Sequence, residues 1–243
     1  MKKFLYMIRC IVKDVIVLAV FCWDFDGTLT WCDHLWSGSV QKALLETVPD
    51  AKIEFNAIRK CNETGFSWHT PEKAYPDRTG ELWWEDMNRH FYKSCLRLGL
   101  NEEQSKTAAE KVRAIIKKKE NYFLFDGVYE TLEHIKNQGH KNILLSNNYP
   151  DLKEVTDALD LTQYFEHMII SGLVGYEKPH PKLFETAKAL YPNESDFYMV
   201  GDNINADIIG GKNAGMKTIL VHKGFDERAD YCFDKLKNIK NIF

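Results

Sequence analysis

The chain of 243 residues holds six cysteines, Cys10, Cys22, Cys32, Cys61, Cys95 and Cys232, and no Cys-X-X-Cys pair among them. That absence removes the spacing of a zinc clip or a dithiol redox motif. Several of the six sit in apolar runs, so they read as reduced core thiols of a cytoplasmic protein. The eight histidines also lack metal-ligand spacing. Charge of one sign is not in excess: the net charge is −3, which gives no general attraction to nucleic acid or to an anionic membrane surface. A bilayer-length apolar run is missing too. Met1 to Phe21 is apolar with two early lysines, as in a signal peptide, but Arg9, Lys13 and Asp14 interrupt it and no small-residue cleavage site follows. The apolar part after Asp14 is too short to span a bilayer and is expected to be a buried strand. Residues 1–13 read as an N-terminal extension of undefined structure. Internal repeats and low-complexity segments are absent.

What is present is a clean alternation in the C-terminal half. The segments "NILLS" (142–146), "HMIIS" (167–171), "FYMVG" (197–201) and "KTILV" (217–221) are short apolar runs, and "VIVLAVF" (15–21) is one more. Between them "VYETLEHIKNQG", "DLKEVTDALDL", "HPKLFETAKAL" and "ADIIGGKNAG" are helical in period, with Gly139 and Gly215 as end signals and Pro181 in a first turn. Continuous apolar strands between amphipathic helices predict an α/β fold, a parallel sheet covered by helices on both faces. Residues 33–121 differ. They carry helical periodicity and no convincing strand, and Asn101 with Gln104 makes a capping box for the last helix. A block this long exceeds an ordinary loop. The reading is therefore a core of residues 14–32 and 122–243 with an all-helical insertion at 33–121.

Chemistry concentrates where strands end. In "CWDFDGTLT" (22–30), Asp24 and Asp26 follow an apolar run, so they sit at the carboxyl edge of a buried strand, the edge where open parallel sheets bind ligands. Residues two apart in extended chain share a face. Gly27 and Thr28 then allow a sharp turn whose backbone N–H groups would face an anion. Two like charges so close raise one pKa, and a hard divalent cation such as Mg²⁺ would relieve the cost. "MVGDNINAD" ends a second strand with Asp202, followed by Asn203 and Asp207. Gly-Asp-Asn is also common turn chemistry, and Asp207 either caps the next helix or holds a lysine. "LLSNN" puts Ser146 and Asn147 at a third strand tip, where a hydroxyl and an amide can donate to phosphate oxygens or simply build a turn. In "GYEKPHPKLF", Lys178 precedes a helix start, where the dipole disfavours a cation, so either an anion such as a phosphate beside the aspartates holds it there or it is a surface lysine.

These four pieces, in this order, resemble the haloacid dehalogenase (HAD) superfamily: "DFDGTL" at 24–29, Ser146 after "NILL", Lys178 in "EKPHPKLF", and "GDNINAD" at 201–207, continued by "IIGGKNAGMKTILV". The likeness covers residues 15–32 and about 122–243. It implies a Rossmann-like core, with the helical block in the place of that family's cap. It implies Mg²⁺ chemistry in which Asp24 attacks phosphorus to form an aspartyl-phosphate. Asp26 would be general acid, then general base. Asp24, Asp26 (through its backbone carbonyl) and Asp202 would hold the metal, with Asn203 and Asp207 in support. Ser146, Lys178, Thr28 and Asn147 would hold the phosphoryl group. A second aspartate at Asp26 favours phosphate esters over the dehalogenase branch. The expected activity is hydrolysis of a small phosphorylated metabolite.

A phosphotransferase or mutase is the alternative within the family. A non-enzymatic phospho-acceptor of the receiver kind is the alternative outside it, shorter and without the inserted helices. In the loop "NETGFSWHTPEKAYPDRTG" (62–80), Trp68 and His69 either meet a substrate or pack cap against core, as do Trp31 and Trp36. "LWWED" (82–86) reads as the helical block's own core.

Overall fold

The computed structural model describes residues 18–242. The expected start of the first strand at Val15 and the N-terminal extension lie outside those residues. The sheet has six parallel strands: β1 (Ala19–Trp23), β4 (Lys141–Ser146), β5 (His167–Ile170), β6 (Asp196–Gly201), β7 (Lys217–Val221) and β8 (Tyr231–Phe233), in the order β5-β4-β1-β6-β7-β8. The order reverses around β1, whose neighbours are β4 on one side and β6 on the other. The strand carrying Asp24 at its end is thus the topological switch point, where an open α/β sheet leaves a crevice at its carboxyl edge.

β1 is buried along its whole length, and its alternate side chains enter different cores. Phe21 and Trp23 join a cluster with α5 (Val128–Asn137) and α6 (Leu152–Ala158); Val20 and Cys22 join one with α8 (Pro181–Ala189), where Leu183, Phe184 and Ala187 are fully buried. Each such large side chain contributes about 1.5–3 kcal/mol by leaving water. Two buried polar side chains on adjacent strands pair: the Trp23 indole donates to Asn142 Oδ1 (2.8 Å), and Asn142 Nδ2 donates to the Leu132 carbonyl (3.0 Å). The covering of both faces is the layering the periodicity predicts.

Between β1 and α5 stand α1 (Leu35–Thr47), α2 (Phe55–Cys61), α3 (Glu81–Arg97) and α4 (Glu102–Ile116). The capping box at the start of α4 is present, with Asn101 and Gln104 bonded reciprocally. Trp83 and Trp84 are buried in α3. The two chain passages joining this helical block to the sheet pair with each other as a short antiparallel ribbon, β2 (Thr30–Trp31) with β3 (Phe123–Leu124). The predicted helix over "ADIIGGKNAG" forms in two pieces, a wide π-type turn at Ile204–Ile209 and then α9 (Gly210–Asn213). No described helix is long and apolar enough to cross a membrane.

Candidate active site

Asp24 directly follows β1, and its N–H donates to the carbonyl of Val200 on β6 (2.9 Å). The sheet register puts Trp23 beside Leu144 and Val200, so Ser146 and Asp202, each two residues further on, share the edge with Asp24. Carboxylate oxygens of Asp24, Asp202 and Asp207 all lie within 4.8 Å of one another. The Lys178 ammonium, almost wholly buried, donates to Asp207 Oδ1 (2.7 Å) and sits 2.9 Å from Asp24 Oδ1. Burial alone would lower its pKa, but Asp207 and Asp24 hold it above the usual lysine range. Of the two roles open to Asp207, the structure has it holding the lysine. Its other oxygen accepts from the Asn203 N–H (3.0 Å), and Asn203 Oδ1 caps the π-type turn by accepting from Asn205 N and Ala206 N.

The Asp26 carboxylate is turned away from that trio. It accepts from Asn148 Nδ2 (2.8 Å) and from the Thr30 hydroxyl (3.3 Å). Burial pushes its pKa up to about 7; Asp24 adds to the rise, and the Asn148 and Thr30 bonds oppose it. Asp202 is also raised, by burial and by Asp24, against the pull of Lys223, whose ammonium is 3.2 Å from Asp202 Oδ2. Burial raises Asp207 as well, against the adjacent Lys178. Four carboxylates thus face two ammonium groups at one sheet edge. Hard oxygen donors with this surplus of negative charge suit a small divalent cation.

One expectation is corrected. The backbone N–H groups of Gly27 and Thr28 do not face an anion: Gly27 N donates to Thr30 O (2.7 Å) and Thr28 N to Phe25 O (3.3 Å), because the turn closes on itself. Thr28 is fully buried, its hydroxyl has no partner among the described residues, and it does not line the cavity described below. Asn147 lines the cavity described below and uses its amide on the backbone of Lys178, Nδ2 to the carbonyl (2.9 Å) and Oδ1 from the N–H (2.6 Å), which fixes the lysine's position. Ser146 is buried at the tip of β4 with a hydroxyl that likewise has no partner among the described residues. His180 caps α8. Gly27 lies at φ +82°, and a Cβ there would fall 2.5 Å from Asp202 Oδ1, so only glycine lets the two loops meet. Asn148 and Lys223 are additions that sequence reasoning did not single out. "SNN" offered a weak hint for the first, and the second sits beyond β7 with no local signal.

A cavity of about 600 Å³ opens over these groups. Asp24, Asp26, Asp202 and Lys178 form its floor; Trp31, Trp36 and Trp68 line its other side. Trp36 and Trp68 also pack in the aromatic cluster of the helical block, so lining and packing are combined in the same rings. His69 lies outside this cavity, in a separate hollow with Tyr75 and Trp83.

Comparisons with known proteins agree with this geometry. The family model for haloacid dehalogenase-like hydrolases matches residues 18–215. Glyceraldehyde 3-phosphate phosphatase of Pyrococcus furiosus is 34% identical over 126 residues, 48% of this chain and 52% of that protein. Phosphoserine phosphatase of Thermus thermophilus is 33% identical over 121 residues, 48% of each chain. The match thus spans about half the length of these curated relatives. The magnesium-bound HAD-hydrolase YfnB of Bacillus subtilis superposes with a TM-score of 0.70 at 19% identity, covering 93% of this chain and 98% of that one. That likeness shows the fold. Since the matched family segment runs from the first described residue to beyond α9 and takes in every carboxylate of the trio, this chain belongs to the haloacid dehalogenase-like hydrolase family.

Proposed function

We propose that the protein is a Mg²⁺-dependent phosphatase of the cytoplasm that hydrolyses a small phosphate monoester through an aspartyl-phosphate on Asp24. One observation carries the reading: Asp24, held by buried Lys178, shares the switch-point edge with the Asp202 carboxylate, while a second acid with a pKa near neutrality stands two residues away. The names of the relatives and the magnesium of the structural neighbour support it. Free thiols at the five described cysteines suit a reducing compartment.

In the first half-reaction a carboxylate oxygen of Asp24 bonds to phosphorus and the bond to the leaving oxygen breaks. Asp26 gives its proton to that oxygen, and the alcohol departs. Asp26, now ionised, then takes a proton from water as the water oxygen bonds to phosphorus. Asp24 is released as carboxylate and inorganic phosphate leaves. A carboxyl with a pKa near 7 suits both roles. Lys178 orients Asp24, Asp207 and Asn147 hold Lys178, and the Ser146 hydroxyl, without a partner among the described residues, donates to a phosphoryl oxygen. Asp24 and Asp202 would hold Mg²⁺ by carboxylate, with Asp26 contributing its backbone carbonyl. The cation supplies neutralisation of phosphoryl charge, the main requirement of phosphoryl transfer.

The test is turnover of p-nitrophenyl phosphate with Mg²⁺ and with EDTA, in the wild type and in Asp24→Asn. The expected result is activity abolished by EDTA and reduced by at least about a hundredfold in the variant. Activity indifferent to both would overturn the reading.

A further inference from the structure

The site's two walls are chemically unlike, and the contrast bears on the leaving group. Among the described residues lining the cavity, Lys178 is the only lysine or arginine, and its ammonium is already shared between Asp207 and Asp24. Lys223 sits on Asp202 outside the lining. A second, largely apolar part of the lining comes from the chain after β1 and from the 62–80 loop: Trp31, Cys32, Leu35, Trp36, Trp68 and Pro71. It offers no cation and no amide side chain. The other polar side chains of the lining, Asn147, Asn148, Asn203 and Asn205, are neutral amides.

The rings of that wall are backed by other rings. Trp31 stacks on Phe123 of the ribbon at 4.6 Å between centroids, yet remains 46% exposed. Trp68 stacks on Phe66 at 4.6 Å and packs against Trp36 at 5.5 Å. Flat apolar faces held in place by neighbours lose little freedom when a ligand stacks on them. A second negative charge on the leaving group would meet Asp24, Asp26 and Asp202 with no counter-ion of its own among the described lining residues, in a partly buried site where repulsion is weakly screened.

We propose that the substrate is a phosphate monoester whose leaving group is uncharged and carries a ring with an apolar face, stacked on the Trp31 and Trp68 wall with its hydroxyls toward Asn203 and Asn205. This rests on the phosphatase reading. Sugar-ring, nucleoside and aryl phosphates share that chemistry; phosphoglycolate and phosphoserine, with a carboxylate beside the ester, do not.

The test measures kcat/KM with Mg²⁺ for acetyl phosphate, whose leaving group is minimal, for ribose 5-phosphate, uridine 5′-monophosphate and p-nitrophenyl phosphate, and for 2-phosphoglycolate and phosphoserine. At least one ring ester is expected to exceed both carboxylate esters by tenfold or more, and the best of the three arms identifies the ring. Trp68→Ala is expected to lower the ratio of that ester to acetyl phosphate by about tenfold, a typical loss for a stacking contact. Trp68→Phe should retain most of the ratio, and Trp31→Ala, at an exposed position, should lower it independently. Carboxylate esters matching or exceeding every ring ester, or a ratio unmoved by both alanine variants, would overturn the proposal while leaving the phosphatase reading intact. No turnover of any compound, acetyl phosphate included, would overturn the phosphatase reading and this inference with it.

Discussion

Asp26 shows how one side chain's partners tune its chemistry. It lies at the start of a turn, where burial raises its pKa and an amide 122 residues away in sequence opposes the rise, Asn148 Nδ2 on Asp26 Oδ2. A bond donated to the carboxylate favours the ionised form, so losing it must raise the pKa above its present value of about 7. Asn148→Ala is therefore expected to move the alkaline limb of the pH–kcat/KM profile upward. A hydrogen bond to a charged group, at about 1.5–3 kcal/mol, sets the scale at about one to two pH units. A limb that stays in place would mean that another group limits the rate on that side. Asp24, Asp26 and Asp202 were legible in the sequence because they follow apolar strands, the last two beside glycine. Asn148, Lys223 and the turn of Asn147 back onto Lys178 were not, because those contacts join segments tens of residues apart and leave no local pattern.

At the scale of elements, the long strands and amphipathic helices could be read from period alone, because burial on one or two faces imposes it. The ribbon of β2 and β3 could not. Two residues per strand are too few to show a period, and their pairing spans the whole helical block. The π-type turn also escaped. It widens where Asp207 turns inward to Lys178, and Gly210 and Gly211 pack against Phe184 and Met199 so closely that a Cβ would fall 2.7–2.8 Å from them. The 62–80 loop is likewise held by something no local signal announces. Glu177, buried beside Lys178, accepts from the hydroxyls of Ser67 and Tyr75 on the loop. Tyr75 N and Gly80 N donate to the carbonyls of Gly175 and Gly172 (2.8 and 2.9 Å). The loop that carries Trp68 is thus fastened to the segment that positions Lys178. Tyr75→Phe removes one donor from a buried carboxylate, a cost of about 1–3 kcal/mol. The expected result is faster hydrogen exchange at the Tyr75 and Gly80 amides, with α3 and α4 unchanged. Uniform acceleration across the block would show that the contact supports the whole fold rather than the loop.

For the whole molecule, the consequence is a conflict between stability and the charge gathered at one sheet edge. A carboxyl raised in the folded state binds more protons folded than unfolded. Its contribution to stability therefore falls as pH climbs from its ordinary value toward its raised one. Asp26 is raised from 3.8 to about 7, so its window is about pH 4 to 7. Other groups titrate in or near that interval with the opposite sign: burial lowers His69, His90 and His140, which add stability as pH rises toward 6.5. Salt-bridged surface acids such as Asp226, held near 2, act below pH 4. A comparison with Asp26→Asn cancels these, since the amide cannot ionise and its oxygen can still accept from Asn148. In EDTA, the stability of Asp26→Asn relative to wild type is expected to rise from pH 4 to pH 7 and level off above. The limiting slope is about 1.4 kcal/mol per pH unit, and each kcal/mol is worth about 2–4 °C in melting temperature for a chain of this size. Mg²⁺ should raise the melting temperature of the wild type, because a ligand that binds only the folded state stabilises it. Asp202→Asn removes one carboxylate from the trio, so it should lose much of that Mg²⁺ shift while melting higher than wild type in EDTA. A variant that melts lower in EDTA would show that the bond to Lys223 outweighs the repulsion from Asp24, and that the edge is not held under the charge strain argued here.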